Sequence, residues 1–214
     1  MMKHCKYFLK TCVLLSLFVC VFAAPSVYAQ GTPDGISQTF AIGPKVLYMR
    51  GLPTLGGGTY EAPGNIYSFG FNARFWITSG LGVEGGWARS ISTEKAEEFG
   101  HKYSSKFNFD VIPVSALYTL RHVDTGKAYI RPYVGAGFNI ANPKSLTVKV
   151  DGGDTYSYKL SGEDLHNVGW QAFAGTEFTY KGAPMLSFGF DLGIHNIFDS
   201  NIFGGSFYVN YYIR

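Results

Sequence analysis

One pattern constrains this chain more than any other. In "YIRPYVGAGFNI", residues 129–140, alternate positions read Ile130, Pro132, Val134, Ala136, Phe138 and Ile140, while the interleaved set reads Tyr129, Arg131, Tyr133, Gly135, Gly137 and Asn139. A period of two belongs to a strand, and here its two faces require different surroundings. With 128–140, the segments 39–50, 66–77, 81–91, 107–120, 168–180, 185–195 and 206–214 make eight of this kind. Each has about the 9–11 residues that a tilted strand needs to cross a bilayer, or slightly more. Beyond Gln30 no run of 18 apolar residues offers a membrane-spanning helix. Charged residues are 15% of the chain, against about 25% in ordinary soluble domains, and aromatics are 17%. Strands that face lipid must close on themselves, because an unpaired edge is untenable there. The pattern therefore predicts an all-β fold, an eight-stranded antiparallel up-and-down transmembrane β-barrel over 39–214.

The first residues read differently. Lys3, Lys6 and Lys10 precede the apolar run "VLLSLFVCVFAA", and Val27 and Ala29 stand at the −3 and −1 positions of a small-residue cleavage site. This is the pattern of a signal peptide over 1–29, with 30–38 as an N-terminal periplasmic segment. Cys5, Cys12 and Cys20 all fall in the removed part, so no disulfide, thiolate metal site or cysteine nucleophile is expected. Bulky Phe18 and Val19 before Cys20 argue against lipid attachment there. Without those three lysines the basic residues equal the 15 acidic ones, which argues against a nucleic-acid partner.

Connections alternate in length. Long ones (51–65, 92–106, 141–167, 196–205) interleave with short ones (78–80, 121–127, 181–184), as outer loops interleave with periplasmic turns. Within the longest, "SLTVKVDGGDTYSYKL" predicts a two-stranded arm of Leu146–Val150 and Tyr156–Leu160, with Asp151, Gly152, Gly153 and Asp154 at its tip. On the lipid face, Phe69, Phe71, Phe188, Phe190, Phe207 and Val209 are typical. Tyr48, Tyr67, Trp170, Tyr180 and Tyr211 fall toward strand ends, as an interfacial girdle would. In the fourth segment, Phe107, Phe109 and Val111 share a face with Val114, Ala116, Tyr118 and Leu120 only after a one-residue slip. A β-bulge is therefore expected near Val111–Pro113. Pro44 and Pro132 are also awkward in a closed ladder.

The inward parity collects Lys45, Arg74, Glu84, Arg131, Glu177 and Asp191, with signs that cancel. Arg74 and Glu84 are symmetric about the turn at Ser79. Arg131 and Glu177 lie at similar distances from their short turns, so these four should share one layer. An eight-stranded barrel is just wide enough for side chains to fill, and charges held there need partners. These residues read as a structural plug, with an ion path as the alternative.

Other chemistry finds little support. His101, His122 and His166 make no metal-ligand spacing, and no glycine-rich loop opens a helix around a phosphate. His195, Asp199 and Ser200 sit together at or in the last outer loop, without a recognisable deacylase arrangement. No cofactor or metal is expected.

The segments "LGVEGGWARS", "DVIPVSALYTL", "RPYVGAGFNI" and "WQAFAGTEFTY" resemble strands three to six of small outer-membrane barrels. Those families are the outer membrane protein A barrel, outer membrane protein X and the opacity-type adhesins, and outer membrane protein W. "RPYVGAG" is most similar to the last and to the opacity type. The ending "VNYYIR" departs from their terminal aromatic by one overhanging arginine, and no peptidoglycan-binding domain is expected after the barrel. The resemblance implies a bacterial outer-membrane location, with outer-membrane lipids, lipopolysaccharide and the barrel-insertion machinery as partners, and an extracellular ligand through the long loops. The leading expectation is a non-catalytic surface or envelope protein. A narrow channel for small or hydrophobic solutes is the second, as outer membrane protein W suggests, and a lipid-modifying enzyme is the third.

Overall fold

The computed structural model describes residues 39–51, 64–98, 101–150, 153, 155–160, 167–198 and 200–213. The expected signal peptide and the segment 30–38 lie outside them, as do Asp151, Gly152, Asp154, His166 and Asp199. The strands are β1 (Thr39–Gly51), β2 (Asn65–Trp76), β3 (Leu81–Glu98), β4 (His101–Thr119) and β5 (Val123–Asp124). They continue with β6 (Ala128–Val150), β7 (Thr155–Lys159), β8 (Asn167–Tyr180), β9 (Leu186–Ile197) and β10 (Ser200–Ile213).

Eight of them form a ring. Antiparallel ladders join β1 to β2, β2 to β3, β3 to β4, β4 to β6, β6 to β8, β8 to β9 and β9 to β10, and β10 returns to β1. The seam pairs Phe40 with Ile213 and Gly51 with Ile202. β5 and β7 are short additions along β6. No ring strand keeps a free edge through the apolar zone, which is the condition for standing in lipid.

Outside and inside follow the two-residue period. Tyr67, Phe69, Phe71 and Phe75 of β2 are exposed, as are Leu186, Phe188, Phe190 and Leu192 of β9. Tyr48 and Tyr67 pair at one rim with ring centroids 5.2 Å apart. Between these positions Asn72, Arg74, Ser187 and Asp191 are buried. Such a surface is an oily outside around a polar inside, the inverse of a soluble sandwich core.

Three expectations are corrected. β4 keeps a single parity throughout. Phe109 and Val111 are buried in the lumen with Ser115, Leu117 and Thr119, whereas Ile112, Val114 and Tyr118 face outward. The bulge lies elsewhere. The β4–β6 register shifts between Asn108 and Phe109, so that Asn108 pairs with Ser145, Phe109 pairs with Pro143, and Lys144 is the extra residue. Beyond it β6 reverses its faces. Leu146 and Val148 lie on the side of Phe107, and Thr147 and Lys149 on the side of Lys106. An oily position can serve the lumen as well as lipid, and periodicity alone does not tell which.

The second correction is that the expected loop 92–106 is largely strand, with Thr93 opposite Lys106 and Lys95 opposite Ser104. The stretch holds a single glycine and no proline, asparagine or aspartate, so the ladder continues past the apolar zone. The last long connection shrinks likewise, Ser200 pairing with Ile197 around a turn at Phe198, whose φ is +51°.

Third, the prolines are accommodated within the ring. Pro132 pairs opposite Thr176 and Pro44 opposite Phe71, and the β1–β10 ladder skips the Gly43–Pro44 pair. A local interruption of the ladder suffices, because a proline lacks only its own donor.

Candidate functional site in the barrel lumen

Arg74 is the centre of the lumen. β2 turns its even-numbered residues inward, and Arg74 enters fully buried among groups from β3, β6, β8 and β10. Its Nε donates to Glu84 Oε2 at 2.5 Å, and its Nη1 donates to Glu177 Oε2 at 3.0 Å and to Tyr208 Oη at 2.6 Å. Nη2 donates to Tyr133 Oη at 2.9 Å. The guanidinium carbon also stands 4.0 Å from the Tyr208 ring centroid and 4.7 Å from that of Tyr133. A planar fork with five donors suits such a cage, and a lysine would not fill it.

The remaining charges attach to this centre. Lys45 Nζ donates to Glu84 Oε1 at 2.9 Å and to Asp191 Oδ2 at 3.3 Å. Arg131, opposite Glu177 in the ladder, lies over the Trp76 ring at 4.5 Å and donates to Tyr212 Oη at 3.4 Å. The Tyr212 hydroxyl in turn donates to Glu177 Oε1. Lys45, Arg74, Glu84, Glu177 and Asp191 therefore form one bonded layer, to which Arg131 connects through Tyr212. Three cations meet three carboxylates, so the layer is neutral as a whole.

Sequence parity brought out the charges and missed the hydroxyls. Tyr133 and Tyr208 each bond Arg74, and their hydroxyls lie 3.0 Å apart. Tyr212 was not singled out. Glycines opposite the rings were a usable signal. A Cβ on Gly189 would lie 2.3 Å from Tyr208 Oη, and one on Gly175 would lie 2.7 Å from Tyr133 Oη. Bare backbone is what lets the rings cross the lumen.

Two apolar groups flank the layer. Toward the short turns lie Ala41, Trp76, Leu117, Phe173 and Tyr212, together with Tyr133 and Tyr208. Toward the long hairpins lie Met49, Ile66, Phe109, Val111, Ile197 and Ile202, with Leu47, Phe107 and Phe198 packed against them. Between the charged layer and this second group is a cavity of about 40 Å³, lined in part by Asn72, Asn139, Gln171 and His195. His195 lies in the lumen, not in an outer loop. Its Nδ1 is 3.2 Å from Gln171 Oε1, and Gln171 Nε2 donates to Ser115 Oγ at 2.5 Å. Among the described residues no group of three His, Cys, Asp or Glu side chains has metal-binding geometry.

The ring closure and the outward oily band decide the class. The chain is an eight-stranded transmembrane β-barrel. No family model and no curated protein matches its sequence. Solved structures with a similar backbone include Ail, the attachment invasion locus protein of Yersinia pestis, at 13% identity over 82% of this chain and 97% of that one, with a TM-score of 0.45. Neisserial surface protein A is similar at 16% identity over 81% of this chain and 96% of that one, with a TM-score of 0.48. The outer membrane protein OprG of Pseudomonas aeruginosa is similar at 10% identity over 82% and 93%, also with a TM-score of 0.48. At these identities none of them assigns a role to a residue of this barrel.

The expected hairpin tip is only partly described. Gly153 N donates to Val150 O at 3.1 Å, and the arms below it pair from Ser145–Lys159 to Lys149–Thr155. Asp151, Gly152 and Asp154 lie outside the described residues.

Proposed function

We propose that this barrel is a non-catalytic surface protein of the bacterial outer membrane, with a closed lumen and its contacts made through the strands and loops at the long-hairpin end. The observation that carries the reading is the layer around Arg74, in which each charge is bonded to a charged or hydroxyl partner from another strand. Ions moving past it would have to break bonds that the interior cannot replace. Lys45, Arg74, Glu84, Arg131, Glu177 and Asp191 then act as a structural plug, and the Asp151–Asp154 tip as part of the surface presented outward. Placement of His195 deep in the lumen, away from any lipid head group, favours this role over lipid modification.

One observation favours a second reading, a narrow gated channel: among the described residues, the apolar group of Met49, Ile66, Phe109, Val111, Ile197 and Ile202 lies between the long-hairpin end and the cavity that Asn72, Asn139, Gln171 and His195 help to line. Hydrophobic constrictions can gate by wetting and drying. Planar-bilayer recordings of the reconstituted protein separate the two. A closed plug conducts little in the wild type, with transient leaks when Glu84 becomes Gln. Steady wild-type conductance whose selectivity shifts in Glu84→Gln, without loss of folded stability, would overturn the plug and establish the channel.

A further inference from the structure

The rim of the oily band is not uniform around the barrel. Among the described residues of the β9–β10 hairpin it ends on neutral amides, with Asn196 Nδ2 donating to Asn201 Oδ1 at 3.0 Å. Across β3, β4 and β6 it ends on charge. Arg89 Nε donates to Asp110 Oδ1 at 2.5 Å, and Lys144 Nζ lies 3.6 Å from Asp110 Oδ2. Two cations thus share one carboxylate, which leaves a positive excess. Both are partly solvent-facing, at 41% and 43% side-chain exposure, although the carboxylate between them is nearly covered.

The cluster continues away from the oily band. Register places Lys106 beside Thr93 and Thr147, Lys149 beside Ser104, and Lys159 beside Ser145, all on the outward side that carries Arg89 and Asp110. Lys95 shares this side. The Lys144 bulge creates the arrangement, because without the extra residue Lys149 would fall on the lumen side. Below the cluster the surface is oily at once. Ile112 and Val114 are exposed on β4, and Trp87 carries the Arg89 guanidinium at 5.7 Å from its ring.

We propose that this face seats the anionic, phosphate-bearing head group of an outer-leaflet glycolipid, with its acyl chains against Trp87, Ile112 and Val114. Charge complementarity selects an anion. Continuity with the oily band selects one that carries hydrocarbon, so a soluble polyanion would satisfy only half of the surface. Arg89 and Lys144 donate to phosphate oxygens, Lys106 and Lys149 reach the sugar-borne anions above, and Asp110 limits affinity while fixing the two cations in place. The site depends on the membrane-spanning barrel alone and not on whether the lumen conducts.

The test uses the refolded full-length barrel in detergent, titrated with purified bis-phosphorylated lipid A and with its dephosphorylated form, and read by Trp fluorescence and native mass spectrometry. Removing the charges in Arg89→Gln/Asp110→Asn/Lys144→Gln, with no orphaned carboxylate, should weaken phosphorylated lipid A by at least about tenfold, the scale of losing charge-assisted bonds to phosphate. Its folded gel mobility should stay unchanged, because all three groups lie outside the lumen. Lys106→Gln/Lys149→Gln, which leaves the Asp110 contacts intact, should weaken it by less. Asp110→Asn alone should tighten binding, an outcome that a purely structural ion pair would not give. Equal binding of the two lipid A forms, undiminished binding by the triple variant, or equal competition by inositol hexakisphosphate would each overturn the proposal, the last by reassigning the face to soluble polyanions.

Discussion

Two stretches of the same lumen are filled by opposite means. Around Arg74 the wall supplies charges, and each is held by a partner from another strand. Around Phe109 and Val111 the wall supplies hydrocarbon, and the side chains touch without hydrogen bonds. Both exclude space equally well, yet they should fail differently. A paired charge that loses its partner becomes a liability, because desolvation is no longer offset. A packed methyl group that is lost leaves only a small cavity, and its cost scales with what was removed.

The sharpest break in this comparison is Glu84→Ala. It strips both Arg74 and Lys45 of an acceptor and should cost about 3–5 kcal/mol in urea unfolding from lipid vesicles. The double change Arg74→Met/Glu84→Leu should cost much less, since Lys45 keeps Asp191 and Glu177 keeps Tyr212. A double variant as weak as the single would show that shape, not pairing, governs the layer. On the oily exterior, Phe71→Arg should cost about 2–4 kcal/mol near the bilayer midplane by the same assay, marking what an unpaired charge costs in lipid. Within the apolar group, Val111→Ala should cost about 1–3 kcal/mol, a loss graded by methyl groups. A loss as large as that of Glu84→Ala would erase the contrast.

The smallest effect lies at the short-turn end, outside the membrane. Lys181 Nζ donates to Asp124 Oδ2 at 2.8 Å, and this bond, helped by the Gly126 N–H, holds the Asp124 carboxyl below its usual range. The same bond raises Lys181 above its ordinary value. A depressed carboxyl stabilises the fold above its unfolded value near 3.8 and loses that contribution as pH falls through the folded value. A raised lysine contributes below its unfolded value of 10.5 and loses this as pH rises further. The difference between wild type and Asp124→Asn should therefore be small and flat at neutral pH and vanish in acid. Paired unfolding curves at neutral pH and below pH 3 check the sign.

How much was legible in the sequence depended on which solvent each residue met. Arg74 and Glu84 mirror each other about a three-residue turn, and the register does pair them. Lipid positions on β2 and β9 were plain because aromatic and small or polar residues alternate there. Phe109 and Val111 were misplaced because hydrocarbon in the lumen looks the same as hydrocarbon in lipid. The Lys144 bulge was invisible for a related reason. Residues 146, 148 and 150 stay oily in step with 130–140, so no change in pattern marks the change of face. Tyrosine hydroxyls could not be assigned, since a ring on the inward parity is bulk until its partner's position is known. His195 was drawn to an outer loop because β9 and β10 reach farther than the oily segments that announced them.

The seam between β1 and β10 sets the order in which such a molecule can come into being. Thr39–Gly51 has half of its rungs on a strand more than 150 positions away, from Phe40–Ile213 to Gly51–Ile202. Neighbouring hairpins can zip early and locally, but this last ladder must await nearly the whole chain. Contacts so distant are slow to form, because the loop they close is long. Until that moment β1 and β10 each expose a row of unpaired amides, and any other open strand can claim them. The chain must therefore be kept from sticking while it is incomplete and be delivered to the bilayer with both ends within reach of each other. Truncating β10 would remove more than one strand, for it would leave β1 and β9 as raw edges and turn a closed vessel into a sheet that polymerises.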